Sequence, residues 1–124
     1  MNQDLPRVLL AGINDHRVHL SVLRDLQEAG HAISICKRDD ALHVIEHDPT
    51  IAVTITSDEA LLHDLRGHQQ ITRLRAHPVV VLAEEASPSD KGRVSFQPQA
   101  RMLACSELSQ LPNALDELFH PPWG

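Results

Sequence analysis

Nine histidines and two cysteines in 124 residues are the side chains on which metal or nucleophile chemistry would draw. His43 and His47 are four apart, so on a helix they share a face and offer two imidazoles to a metal. His16 and His19 are three apart near another helix start. A metal site needs further ligands, and no cysteine or carboxylate stands at a spacing that completes either pair. We read these as surface or half-buried histidines, some of which gain charge near about pH 6.5, and expect no metal. Cys36 and Cys105 fit no metal or redox spacing and read as reduced thiols of a cytoplasmic protein. A reactive thiol at Cys105 would need a base or a helix N-terminus beside it; a small apolar residue at a strand end is the simpler reading. Gly12 stands alone, so neither a phosphate loop nor a dinucleotide fingerprint is present.

Composition narrows the class. Hydrophobic residues make up 42%, enough for a packed core, while aromatics are only 2%, so Leu, Ile, Val and Ala must build it. The formal net charge is −6 with no basic block, which argues against direct nucleic-acid binding. Met1-Asn2-Gln3-Asp4 is not the start of a signal peptide. No apolar run approaches the roughly 18 residues of a membrane span. The length suits one domain, expected over residues 5–119, with 120–124 as a tail or the start of a linker.

The elements that must position these residues alternate regularly. Arg7-Val8-Leu9-Leu10-Ala11-Gly12 reads as a buried strand. Asp15 can cap the following helix, and Gly30 stops it. His31 to Cys36 is a second strand, and Asp39 or Asp40 opens a short helix that ends before Pro49. Ile51 to Ile55 is a third strand, with Ser57 as the expected cap of the next helix. Gly67 weakens the middle of that helix, where a break is expected. Pro78 to Ala83 is the fourth strand. Ser87-Pro88-Ser89-Asp90 can start a short helix, bracketed by Gly92 and Pro98. Arg101 to Cys105 is the fifth strand, and Ser109 is the expected cap of a last helix with Pro112 in its first turn. Five β–α units of about 20 to 25 residues predict an α/β fold: a five-stranded parallel sheet, doubly wound as a (βα)5 flavodoxin-like sandwich.

Ligands in such a sheet bind beyond the carboxyl ends of the strands. The candidate site is therefore Gly12 to Asp15, Ile55 to Asp58, Ala83 to Glu85 and Cys105 to Glu107. With these strands and spacings, the chain from about Leu5 to Phe119 resembles the receiver domain of bacterial response regulators, a CheY-like family. The resemblance implies an acidic pair for Mg²⁺ after the first strand and a phospho-acceptor aspartate ending the third. It also implies a hydroxyl residue ending the fourth strand and a Lys-Pro pair ending the fifth. This chain has Gly12 and Ile13, then Ile55, then Ala83, then Cys105-Ser106 at those positions. Glycine, isoleucine and alanine supply no oxygen ligand or counter-charge, and an apolar pocket penalises desolvated ions. Asp15 and Asp58 lie one to three residues beyond the usual sites; helix capping and first-turn charge account for both.

The expected function is thus that of an atypical, phosphorylation-independent pseudo-receiver, a protein–protein interaction module of signal transduction. No nucleophile–base pair assembles at the strand ends, so no enzymatic activity and no cofactor are expected. Asp15-His16 is similar in residue type to a motif of cobalamin-binding domains, but those interpose one residue and add glycines missing here. The resemblance also implies that the fourth helix, fifth strand and fifth helix, about Ser89 to Phe119, form the interaction face. Its exposed part is expected to include Arg93, Arg101, Gln110, Asn113, Asp116 and Glu117. Its partner would be an attached output domain, a protein in trans or a second copy, with no membrane. Trp123, near the end, is a further contact candidate. The alternative is a small-molecule binder with an apolar cleft lined by Gly12, Ile55, Ala83 and Cys105.

Overall fold

The computed structural model describes residues 5–97 and 99–119. Five strands form one parallel sheet: β1 (Arg7–Ala11), β2 (Ile33–Cys36), β3 (Ile51–Thr56), β4 (Val79–Ala83) and β5 (Ala100–Ala104), in the order β2-β1-β3-β4-β5. The helices are α1 (His16–Ala29), α2 (Ala41–His47), α3 (Glu59–Arg66), α4 (Thr72–Arg75), α5 (Pro88–Ser95) and α6 (Leu111–Phe119). The expected doubly wound α/β sandwich is the observed one. Strand order reverses at β1, so the crevice between β1 and β3 is where such folds hold ligands.

Alternation along each strand sends side chains to two cores. Leu9, Ala11, Val79 and Val81 face α2, α3, α4 and α5, where Ile45, Leu61, Leu65, Leu74 and Val94 meet them. Val8, Leu10, Val53, Ile55, Val80 and Leu82 face α1 and α6, against Val22, Leu26, Leu111, Leu115 and Leu118. Burial on both faces explains why the central strands are continuous apolar runs.

Caps set the helix ends. Asp15 Oδ1 accepts from the backbone N–H of Arg17 at 2.8 Å and of Val18 at 3.2 Å, and Gly30 ends α1 in the left-handed region. Ser87 and Asp90 form a reciprocal capping box at the start of α5, with Pro88 in its first turn. Two expected caps are corrected. Asp58, not Ser57, caps α3: it accepts from Ala60 N–H at 2.9 Å, while Thr56 Oγ1 accepts from Asp58 N–H at 3.0 Å. Ser109 caps nothing, because a 3₁₀ turn over Cys105–Gln110 intervenes and α6 starts at Leu111. Cys105 belongs to that turn, so β5 runs from Ala100 to Ala104 rather than from Arg101 to Cys105. A 3₁₀ turn, Arg38–Asp40, likewise precedes α2. The expected break falls at Gly67, which ends α3. Pro98 and residues 120–124, with Trp123, lie outside the described residues.

Candidate functional site

Over the carboxyl ends of β1 and β3 the structure places an arginine that sequence reasoning missed. Gly12 follows β1 with φ +67°, and a Cβ there would sit 2.8 Å from Cβ of Arg38 and 3.0 Å from its Cγ. Only glycine meets both conditions without strain. Arg38, in the turn after β2, thus lays its stem where a side chain at position 12 would project. Its guanidinium reaches α3 and its cap: Nε donates to Asp58 Oδ2 at 2.8 Å and Nη2 to Asp64 Oδ2 at 2.5 Å. Hydrogen bonds to Asp64 and then Asp58 raise the arginine's pKa still further. Asp58 is committed twice, to Arg38 and to the cap of α3.

The remaining strand-end positions are closed or apolar. Ile55 has no exposed surface and packs in the core under α1 and α6. Ile13 is half-buried against the same core. Ala83 and Cys105 are half-buried. Burial, then the carboxylates of Asp15 and Glu84, push the Cys105 thiol up. Burial, then Asp40, do the same to Cys36. Neither thiol is set up as a thiolate nucleophile. The cleft considered from the sequence therefore lacks its central wall, because Ile55 is inside the core rather than lining an opening.

These residues do not fit a divalent cation. Gly12 brings no ligand, Ile13 and Ile55 are apolar, and Asp58 is held by a cation already. Around them runs a chain of ion pairs. Both Glu59 carboxylate oxygens of α3 accept from Arg93 of α5, which holds Glu59 below the usual carboxylate range. Lys91 of α5 donates to Glu107 at 2.6 Å, and Glu107 also accepts from Ala104 N–H at 2.9 Å. Those two bonds lower Glu107 in turn. The loop after β2 is thereby linked to α3, α3 to α5, and α5 to the turn after β5.

The expected interaction residues divide. Arg101 and Glu117 meet at 3.1 Å, joining β5 to α6. Gln110, Asn113, Asp116 and Glu117 are exposed, as expected. Arg93 is half-exposed, but its guanidinium is tied to α3. Phe96, at the end of α5 and 89% exposed, was missed. A phenylalanine between Ser95 and Gln97 gives no sequence signal of its orientation. His43 and His47 share a face with ring centroids 4.1 Å apart. Among the described residues no group of three metal-ligating side chains exists, and no helix is long and apolar enough to cross a membrane.

No family model and no curated protein matches the chain. Among solved structures, it is similar to the receiver domain of the Francisella response regulator 1452. The TM-score is 0.64 at 19% identity, covering 90% of this chain and 96% of that one. At that identity the likeness concerns the fold: a receiver-type, five-stranded α/β sandwich.

Proposed function

We propose that this chain is a receiver-like regulatory module that works without phosphorylation, by contact with a protein partner or an attached output domain. The observation that carries the reading is the seat of Arg38 over Gly12. A guanidinium fixed by Asp58 and Asp64 spans the place where metal-dependent phosphoryl chemistry needs acidic ligands, and Ile55 is buried at the acceptor position. A phosphoryl group brings two or more negative charges and needs a metal to neutralise them; no oxygen ligand set is assembled here to hold one. The described strand ends offer no acceptor carboxylate at Ile55 and no nucleophile–base pair, which supports reading the module as non-enzymatic. The face of α5, β5 and α6 is its contact surface, with exposed Phe96 after α5 as an apolar anchor and exposed Gln110, Asn113 and Asp116 as its polar members on the α6 side. Aromatic anchors within a polar rim are the usual composition of such interfaces.

A ¹H–¹⁵N NMR titration with Mg²⁺ and then beryllofluoride tests this. The amides of Gly12, Asp15, Ile55 and Cys105 are expected to stay in place. Saturable shifts there would establish a working acceptor site and overturn the reading.

A further inference from the structure

On the outer face of α2, His43 and His47 stand one turn apart with their rings against each other, centroids 4.1 Å apart and planes tilted by 36°. We propose that this pair is a two-imidazole site for a late first-row divalent cation, binding Cu²⁺ most tightly.

The helix sets the pair. α2 buries Ala41 and Ile45 in the core, so His43 and His47 are turned outward and exposed. His47 Nδ1–H donates to the backbone carbonyl of His43 at 2.9 Å. A ring nitrogen that faces a carbonyl oxygen must carry the proton, so in the neutral imidazole the lone pair is on Nε2. Metal-ligating histidines are held in this way: one nitrogen donates to a backbone carbonyl or a carboxylate, which fixes the tautomer and the ring, and the other is left for the metal. Two nitrogens bound to one ion at about 2.0–2.1 Å each lie roughly 3 Å apart. Two exposed rings already in contact reach that separation by small turns of their side chains.

Charge and ligand type select the ion. From Asp39 to Asp48 the chain carries Asp39, Asp40, Glu46 and Asp48 and no lysine or arginine. Arg38, just before this stretch, is paired with Asp58 and Asp64. Arg73 of α4 is the cation that reaches α2, where it donates to the backbone carbonyls of Ile45 and Glu46. Four carboxylates against one guanidinium favour a cation. Imidazole donors suit Cu²⁺, Ni²⁺ and Zn²⁺, whereas Mg²⁺ and Ca²⁺ take oxygen, and among the first three affinity peaks at Cu²⁺. Among the described residues no third ligand joins the pair. That excludes a closed structural site, which needs four protein ligands. It leaves a chelate whose other positions are filled by water.

The test is a ¹H–¹⁵N NMR titration of the full chain with CuCl₂ in the wild type, His43→Gln and His47→Gln, with MgCl₂ as the control. Paramagnetic Cu²⁺ broadens the amides close to it. Both histidines are exposed, so each variant keeps its fold, which its metal-free spectrum checks. At substoichiometric Cu²⁺ the amides of Val44, Glu46 and His47 are expected to broaden first, before those around His16 and His19. Binding is expected to be about tenfold or more weaker in either variant, and Mg²⁺ to leave the spectrum unchanged. Broadening that begins elsewhere, equal broadening in the wild type and either variant, or saturable shifts of the same amides with Mg²⁺ would each overturn the proposal.

Discussion

At the carboxyl end of the sheet the charged groups sit at the surface and hold one another; at the amino end two polar groups, Thr54 and His77, lie inside the core. Arg38, Asp58, Asp64, Glu59, Arg93, Lys91 and Glu107 are paired in a half-exposed chain over the strand tips. Half-exposed pairs contribute little stability but do fix geometry. Thr54 and His77 are the reverse case: two buried partners whose energetic weight comes from the water they have lost. The lesson is that the end where this fold usually does chemistry is closed by mutual pairing.

The largest expected effect probes the first of these ends. Ile55→Asp places a carboxylate at a position with no exposed surface, among Leu10, Val53 and Leu82. An unpaired buried charge costs about 3–5 kcal/mol. Urea unfolding is expected to show that loss as a lowered midpoint with an unchanged slope. A cost of about 0.5 kcal/mol, typical of open surface positions, would mean that water reaches the strand tips and that this end is not closed.

The second effect separates the ends by pH. His77 enters the folded state neutral, with its pKa lowered to about 4, whereas an unfolded histidine titrates near about 6.5. The unfolded chain therefore takes up this proton first. The stability involved is fully present above about pH 6.5 and is lost as pH falls toward about 4, roughly 3 kcal/mol in all. Glu59 and Glu107 at the carboxyl end are held low. Their contribution is present above the ordinary carboxylate range and is lost only as pH falls below it. Stability measured from pH 7.5 to 4 in the wild type and in His77→Gln is expected to differ least at the acid end. A difference that does not change with pH would remove His77 as the amino-end sensor.

Much of the fold was legible because each strand is an apolar run that ends at a turn residue, and because Asp15, Gly30 and Ser87 are local capping signals. Ser57 misled because it stands beside Asp58, a second capping residue type, and it is Asp58, extended at φ −106°, whose side chain caps α3. The 3₁₀ turn before α6 has no periodicity that distinguishes it from a first helical turn. Of the site, the absences at Gly12, Ile55 and Ala83 could be read, but Arg38 could not. Its role depends on a missing Cβ at Gly12 and on carboxylates at Asp58 and Asp64, which lie 20 and 26 residues from it in the chain. His77 was one histidine among nine until its burial and its hydrogen bond with Thr54 set it apart.

The smallest effect tests whether Arg38 truly closes its end. Gly12→Ala meets two obstacles, a left-handed backbone and a methyl 2.8 Å from Arg38 Cβ. Backbone strain alone at such a position costs about 1–3 kcal/mol. Arg38→Gly removes the obstructing Cβ and Cγ but leaves φ at Gly12 as it is. In a double-mutant cycle, Gly12→Ala is therefore expected to cost less in the Arg38→Gly background, the difference being the steric contact between the two residues. Guanidinium unfolding of the four proteins measures it. Equal costs in both backgrounds would mean that Arg38 does not press on Gly12. An acidic residue at position 12 would then have room, and the carboxyl end would be unreactive for want of ligands alone rather than because it is occupied.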